Sequence, residues 1–129
     1  MITMNWTVML QITGSPTIAT ASPSTAIQAV DRIEAVVAPG DIDKVLEVQP
    51  GAATDVRLLL VKSTRYGTDL SFKVSDGATD SSVVTLDSPQ LFSGGAVALF
   101  GLAPQQFKFT NTGADPATVE IHVARDAAP

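Results

Sequence analysis

The 129-residue chain contains no cysteine, one histidine, one tryptophan and one tyrosine. Each shortage removes a class of function. Without thiols there is no disulfide, no thiolate nucleophile and no Cys-based zinc site, and synthesis in a reducing cytoplasm needs no oxidative step. A single histidine, His122, cannot supply the clustered imidazole and carboxylate ligands that metal chemistry in a cupin-like barrel requires. Charge is also scarce: 16% of residues are charged, against about a quarter in average proteins. The net charge is −5, and the eight basic residues are scattered. The densest group, Arg57, Lys62 and Arg65, is interrupted by apolar residues, so the basic patch of a nucleic-acid binder is missing. No apolar run approaches the roughly 18 residues of a membrane helix. The first residues, MITMNWTVML, lack the basic region and long apolar core of a secretion signal. The expectation is a soluble protein that binds neither nucleic acid nor membrane and needs no cofactor.

What is present suits one folded domain spanning 1–129. Forty-five per cent of the residues are hydrophobic, and a chain of this length buries about two-thirds of its unfolded surface. A surface poor in charge and rich in Ser, Thr, Ala and Gly suits a β domain packed against other subunits, or an extracellular one.

Alternation marks the strands. In residues 4–12, MNWTVMLQI, Trp6, Val8, Leu10 and Ile12 share one face, as an opening strand requires. The segment 14–26, GSPTIATASPSTA, reads as a loop or an extended arm, so that 1–26 holds a first strand and an arm. Residues 26–37 fit two periods: Ile27, Val30, Ile33 and Val37 have helical spacing, whereas Ile33, Ala35 and Val37 alternate. Strand-like neighbours favour a strand. Asp43–Gln49 forms another, closed by Pro50-Gly51. In DVRLLLVK (55–62) the run from Leu58 to Val61 is apolar on both sides, as in a strand covered on both faces. One cover is a second sheet and the other a partner, and Leu58 and Leu60 are expected deep in the core with Phe72, Phe107, Phe109 and Ile121. Further strands are expected at 69–75, 83–86, 96–100, 106–110 and 118–124, with Asp76-Gly77 making a tight turn. Eight or nine short strands with regular turns indicate an all-β, antiparallel β-sandwich, jelly-roll-like in strand number.

Candidate sites are few. Val119, Ile121 and Val123 alternate with Glu120 and His122, which places His122 on the polar face of a strand, beside solvent, a cross-strand partner or another subunit. No base, nucleophile and orienting group assemble around it. The acidic turns Asp41–Asp43 and Asp76–Asp80 offer oxygen ligands for calcium, but Asp in turns commonly binds its own backbone. The loop Lys62-Ser63-Thr64-Arg65-Tyr66-Gly67 suits either an anion or sugar site, with Arg65 and Tyr66 as contacts, or a plain polar loop. Residues 94–104, GGAVALFGLAP, carry no charge, and Phe100 and Leu102 lie close enough to a loop to serve an interface. Met4 and Trp6 are candidate anchors at the other end of the chain. The stretch 1–6, whose Met1, Ile2, Met4 and Trp6 need cover, and the 14–26 segment are expected to act as an arm touching either a neighbouring subunit or a larger protein surface.

Taken together, the phrases VRLLLVKSTRYGTDLSFKVS, LDSPQLFSGGAVALFG and FKFTNTGADPATVEIHVARD resemble the small β-sandwich decoration, or cement, proteins of tailed-bacteriophage heads. The similarity covers roughly residues 30–126 and lies in strand and turn phrases without a diagnostic motif. It implies a homotrimer on the capsid surface of a virion, made in the host cytoplasm, whose partner is the major capsid protein and which is no enzyme. A carbohydrate- or receptor-binding β-sandwich of a phage tail or cell surface is the competing reading. Such sites expose several aromatic rings, and the chain has one Trp and one Tyr.

Overall fold

The computed structural model describes residues 2–48 and 56–126. Met1 and the expected Pro50-Gly51 turn lie outside the described residues. Four short strands come first: β1 (Ile2–Met4), β2 (Thr7–Leu10), β3 (Ile18–Ala21) and β4 (Thr25–Ile27). Eight more follow: β5 (Ala29–Val37), β6 (Lys44–Glu47), β7 (Val56–Ser63), β8 (Leu70–Ser75), β9 (Val84–Thr85), β10 (Gln90–Ser93), β11 (Gln106–Asn111) and β12 (Ala117–Arg125). Among the described residues a 3-10 helix, Gly94–Phe100, interrupts the series after β10.

The eight later strands form two four-stranded antiparallel sheets, β10-β7-β12-β5 and β6-β11-β8-β9. Counted along the body alone, the first sheet takes the first, third, sixth and eighth strands and the second takes the others. Every connection but β8–β9 therefore crosses from sheet to sheet. This is the strand order of a jelly roll, two interlocked Greek keys in a β-sandwich, and the expected fold class is the one observed.

The two-residue period decides what lies between the sheets. From the first sheet Leu59, Val61, Val119 and Ile121 point inward, all fully buried. Facing them are Leu70, Val74 and three rings of the second sheet, with Phe72 centred 5.6 Å from both Phe107 and Phe109. The expected core members Phe72, Phe107, Phe109 and Ile121 are in place. Leu58 and Leu60 are not. They are only half-buried, on the outer face of the sheet, because the inward register of β7 falls on Val56, Leu59 and Val61.

The ambiguous 26–37 segment is extended, with nine residues of β5 paired along the whole of β12. The expected strand at 96–100 is replaced by the 3-10 helix, and the strand precedes it at Gln90–Ser93. Left-handed φ angles of 57° at Gly94 and 74° at Gly101 bracket the helix, a conformation glycine adopts without steric cost. Three residues per turn put Val97 and Phe100 on one side, so Val97 is buried and Phe100 half-buried while Leu99 stays 80% exposed.

The opening strand exists but belongs to no sandwich sheet. β1 pairs with β4 and β2 with β3, so residues 2–27 make one long hairpin, broken at Asn5-Trp6 and at Ser22–Ser24. Ile27 anchors its base, fully buried. Every residue from 7 to 21 is exposed; Thr7, Val8 and Met9 still border the outer face of the sandwich, whereas no residue from 10 to 21 lines that contact. The segment expected as a loop or arm is the returning half of it.

Candidate functional site

The outer face of the β10-β7-β12-β5 sheet is ordered in rows by the strand register. One row runs Ser93, Leu58, Ala124, Val30 and the next Leu91, Leu60, His122, Arg32. A third carries Lys62, Glu120 and Glu34. Along the strands the face therefore changes from apolar to charged, with His122 on the boundary.

The charged end is a closed set of ion pairs. Glu120 accepts from Arg32 and lies 3.2 Å from Lys62 Nζ, while Arg32 also donates to Glu34 at 2.9 Å. Hydrogen bonds from Arg32 and then Lys62 hold the Glu120 carboxyl down to about 2, since both favour the ionised form. His122 Nε2 lies 3.6 Å from Glu120 Oε2. Its neighbours across the strands are Leu60 and Arg32, and neither is a nucleophile. The polar-face position expected for His122 is the observed one.

At the apolar end, the stretch Met4–Met9 lies across the sheet and leaves a cleft of about 800 Å³. Its floor is Leu58, Leu60, Leu91 and Ala124, with Val30 and His122 at the side and Trp6 on the arm. Trp6 fixes the arm at this point: its indole N–H donates to Ser93 Oγ at 3.1 Å. The backbone closes around the same residue, with Trp6 N–H on Ser22 Oγ and Ser22 N–H on the Trp6 carbonyl, both at 2.8 Å. Two candidate contacts, Met4 and Trp6, are thus brought together with His122 in one cleft. Leu58, Leu60, Leu91 and Val30 belong to it as well, although sequence reasoning did not assign them there. The signal for the first two was the doubly apolar run of β7. Leu91 sat in an unrecognised strand.

Arg65 and Tyr66 are elsewhere, and both are engaged within the fold. The Arg65 guanidinium donates to Asp69 Oδ1 (2.9 Å), Asn111 Oδ1 (2.7 Å) and the Asp115 carbonyl (2.8 Å). Asn111 is fully buried and donates in turn to the carbonyls of Val37 and Asp115. Gly113 closes the set, since a Cβ there would lie 1.9 Å from Asp69 Oδ2. Tyr66 packs against the core and its hydroxyl accepts the Ser63 N–H at 3.1 Å. The loop is a structural clasp between the two sheets, and its Arg65 and Tyr66 are committed to that clasp.

Phe100 and Leu102 also pack on the core, Phe100 against Phe92 with ring centroids 4.8 Å apart. The exposed apolar groups at this end are Leu99 and Val83. In the acidic turns, Asp76 Oδ1 accepts the N–H groups of Ala78 and Thr79, which lowers its pKa, and Asp80 pairs with Lys108. Asp41 accepts the Ala38 N–H, and Asp43 lies 3.4 Å from Lys73. Among the described residues, no three His, Asp or Glu side chains are grouped to hold a metal ion.

Comparison with protein-family models, with curated proteins and with solved structures finds no match to this chain.

Proposed function

We propose that the chain is a structural virion protein that binds the outer surface of an assembled capsid and stabilises the shell. Its partner is the major capsid protein, it acts as a homo-oligomer of three copies, and it performs no chemistry. The observation that carries this reading is the arm. Residues 1–30 contain no ionisable side chain, and residues 7–21 are exposed on both faces of a hairpin, with Val8, Met9, Leu10, Ile12 and Ile18 open to solvent. A two-stranded hairpin is marginal on its own in water, and exposed apolar surface of this kind marks a protein–protein contact. A clamp across neighbouring capsid subunits works by interface area and complementarity, and it needs no catalytic group.

The sugar-binding alternative lacks the several rings that stack on a sugar. Phe72, Phe107 and Phe109 are core, Phe92 and Phe100 pack against each other at a tilt, and Tyr66 packs on the core, which leaves Trp6 as a lone ring at the cleft.

The test is co-sedimentation with assembled shells of the virus that encodes the chain, stripped of their own surface proteins. The full chain should pellet with shells and raise their resistance to heat, and a variant lacking residues 1–22 should bind weakly while remaining folded. Retention on a glycan array without retention on shells would refute the proposal.

A further inference from the structure

The arm and the cleft are two halves of one contact, and both lie on this chain. We propose that the cleft seats the β2–β3 hairpin of a second copy, so that copies associate by passing arms from one to the next. The inference rests on reading the arm as an assembly element, and it names the partner the arm meets before any shell.

Four observations converge on a second copy as the occupant. First, the cleft is open and walled chiefly by apolar side chains, a concavity of about 800 Å³, and exposed apolar surface of this kind marks a contact with a partner. Second, the chain's own hairpin lines only one edge of it. Thr7, Val8 and Met9 form that edge, whereas Leu10 and Ile18, directly paired across the hairpin and about half exposed, do not line the cleft. Third, the two surfaces match in charge. The arm has no ionisable side chain, and of those lining the cleft only His122 is ionisable. An unrelated protein would have to bring a neutral apolar segment, and the chain already carries one. Fourth, every copy carries both surfaces. Fifteen exposed arm residues (7–21) and seven cleft residues outside the arm let each copy give one arm and receive another.

The geometry also supplies a joint. Ser22-Pro23-Ser24 separates β3 from β4, while Ile27 and the Trp6–Ser93 bond hold the base. Re-aiming the outer hairpin therefore leaves the sandwich untouched, the usual low-cost route to exchange between copies. The arm beyond Met9 and the sheet side of the cleft are different surfaces, so the contact is head-to-tail and closes into a ring when the rotation between copies permits.

The experiment uses the purified full chain with no shell present. Sedimentation velocity over a concentration series should show reversible association. Leu10→Asp on the arm, and separately Leu60→Glu in the cleft, should each weaken it roughly tenfold or more, because each buries an unpaired carboxylate. Leu10 is outside the sandwich, so its variant cannot fail merely by unfolding the body. Position is tested directly because the chain has no cysteine. A Leu10→Cys chain mixed with a Leu91→Cys chain should form a covalent heterodimer on oxidation, in excess of the homodimers each forms alone. A monomer at every attainable concentration overturns the proposal, and so does association that survives Leu10→Asp. A monomer that still pellets with shells would overturn arm exchange and leave the decoration proposal standing. Arm-dependent association without shell binding would do the reverse.

Discussion

Adjacent leucines of β7 should differ sharply in what they contribute to stability. Leu59 is fully buried between the sheets, whereas Leu60, the next residue, is half-buried on the outer face at the cleft. Leu59→Ala removes apolar atoms from a closed site flanked by the Phe72, Phe107 and Phe109 cluster. Such truncations cost about 2–5 kcal/mol, the lost transfer energy plus a cavity that neighbours cannot fill. Leu60→Ala loses only part of the roughly 1.5–3 kcal/mol of a fully buried leucine, and its open side leaves no sealed cavity. About 1 kcal/mol is expected there.

The entropy of unfolding, about 2.1 cal/mol/K per residue, gives roughly 0.27 kcal/mol/K for 129 residues. A loss of 3 kcal/mol at Leu59 then lowers Tm by about 11 °C, and 1 kcal/mol at Leu60 by about 4 °C. Calorimetry and urea titration of both variants, each at two protein concentrations, measure this difference. The cost at Leu59 should not change with concentration, whereas that at Leu60 should grow as copies associate. Equal losses at the two sites, or a larger one at Leu60 in dilute solution, would show that the inward register of β7 is wrong.

Arg65→Met should destabilise by about 2 kcal/mol, since it strips charge-assisted bonds from buried Asn111 and the Asp115 carbonyl; a loss under half a kcal/mol would mean that the clasp is dispensable. Gly113→Ala should perturb the same clasp by displacing Asp69 from Arg65, visible as a lowered Tm that is not additive with Arg65→Met. Acid should weaken the fold in a defined window. The folded Glu120 carboxyl is held at about 2 against an ordinary 4.5, so its contribution is complete above about pH 4.5 and is lost as pH falls toward 2. Glu120→Gln should flatten that part of the stability–pH curve, and an unchanged slope there would argue against the Arg32–Glu120–Lys62 set. Purified protein should be blank in hydrolase, oxidase and transferase screens with and without added metals, and an activity abolished by His122→Ala would overturn the non-enzymatic proposal.

Strands were legible wherever one face meets the core and the other meets water. β5, β8, β11 and β12 each have alternating side chains, and alternation is the direct imprint of a half-buried pleat. The Gly94–Phe100 segment was not legible, because five consecutive apolar or small residues, AVALF, have no period that separates a strand from a helical turn. The two glycines before it and Gly101 after it were the better signal. The arm misled in a different way. Its alternation is real, and it forms strands, but periodicity reports pleating and not attachment, so nothing in residues 4–12 tells whether the pleat lies in the sandwich or outside it. The Arg65 clasp was hidden for a third reason. Its partners are Asp69, just before β8, Asn111, at the end of β11, and Asp115, in the turn that follows, and the meeting of Arg65 and Asp69 with the other two is a product of the jelly-roll crossings.

The outer face of the β10-β7-β12-β5 sheet is where sequence pattern and proposed assembly meet. A strand apolar on both sides needs two covers. For β7 the inner cover is the opposing sheet, and among the described residues of one copy the outer cover is the stretch Met4–Met9. Beyond His122 the same face turns to Arg32, Lys62, Glu120 and Glu34, whose ion pairs are cheap only while water still reaches them, since full burial would cost several kcal/mol per ion. The boundary at His122 therefore limits what any partner can cover to the rows of Leu58 and Leu60. An occupant must be narrow, apolar and free of charge, about the width of a two-stranded ribbon. The first ionisable side chain of the chain is Asp31, and everything before it meets that description.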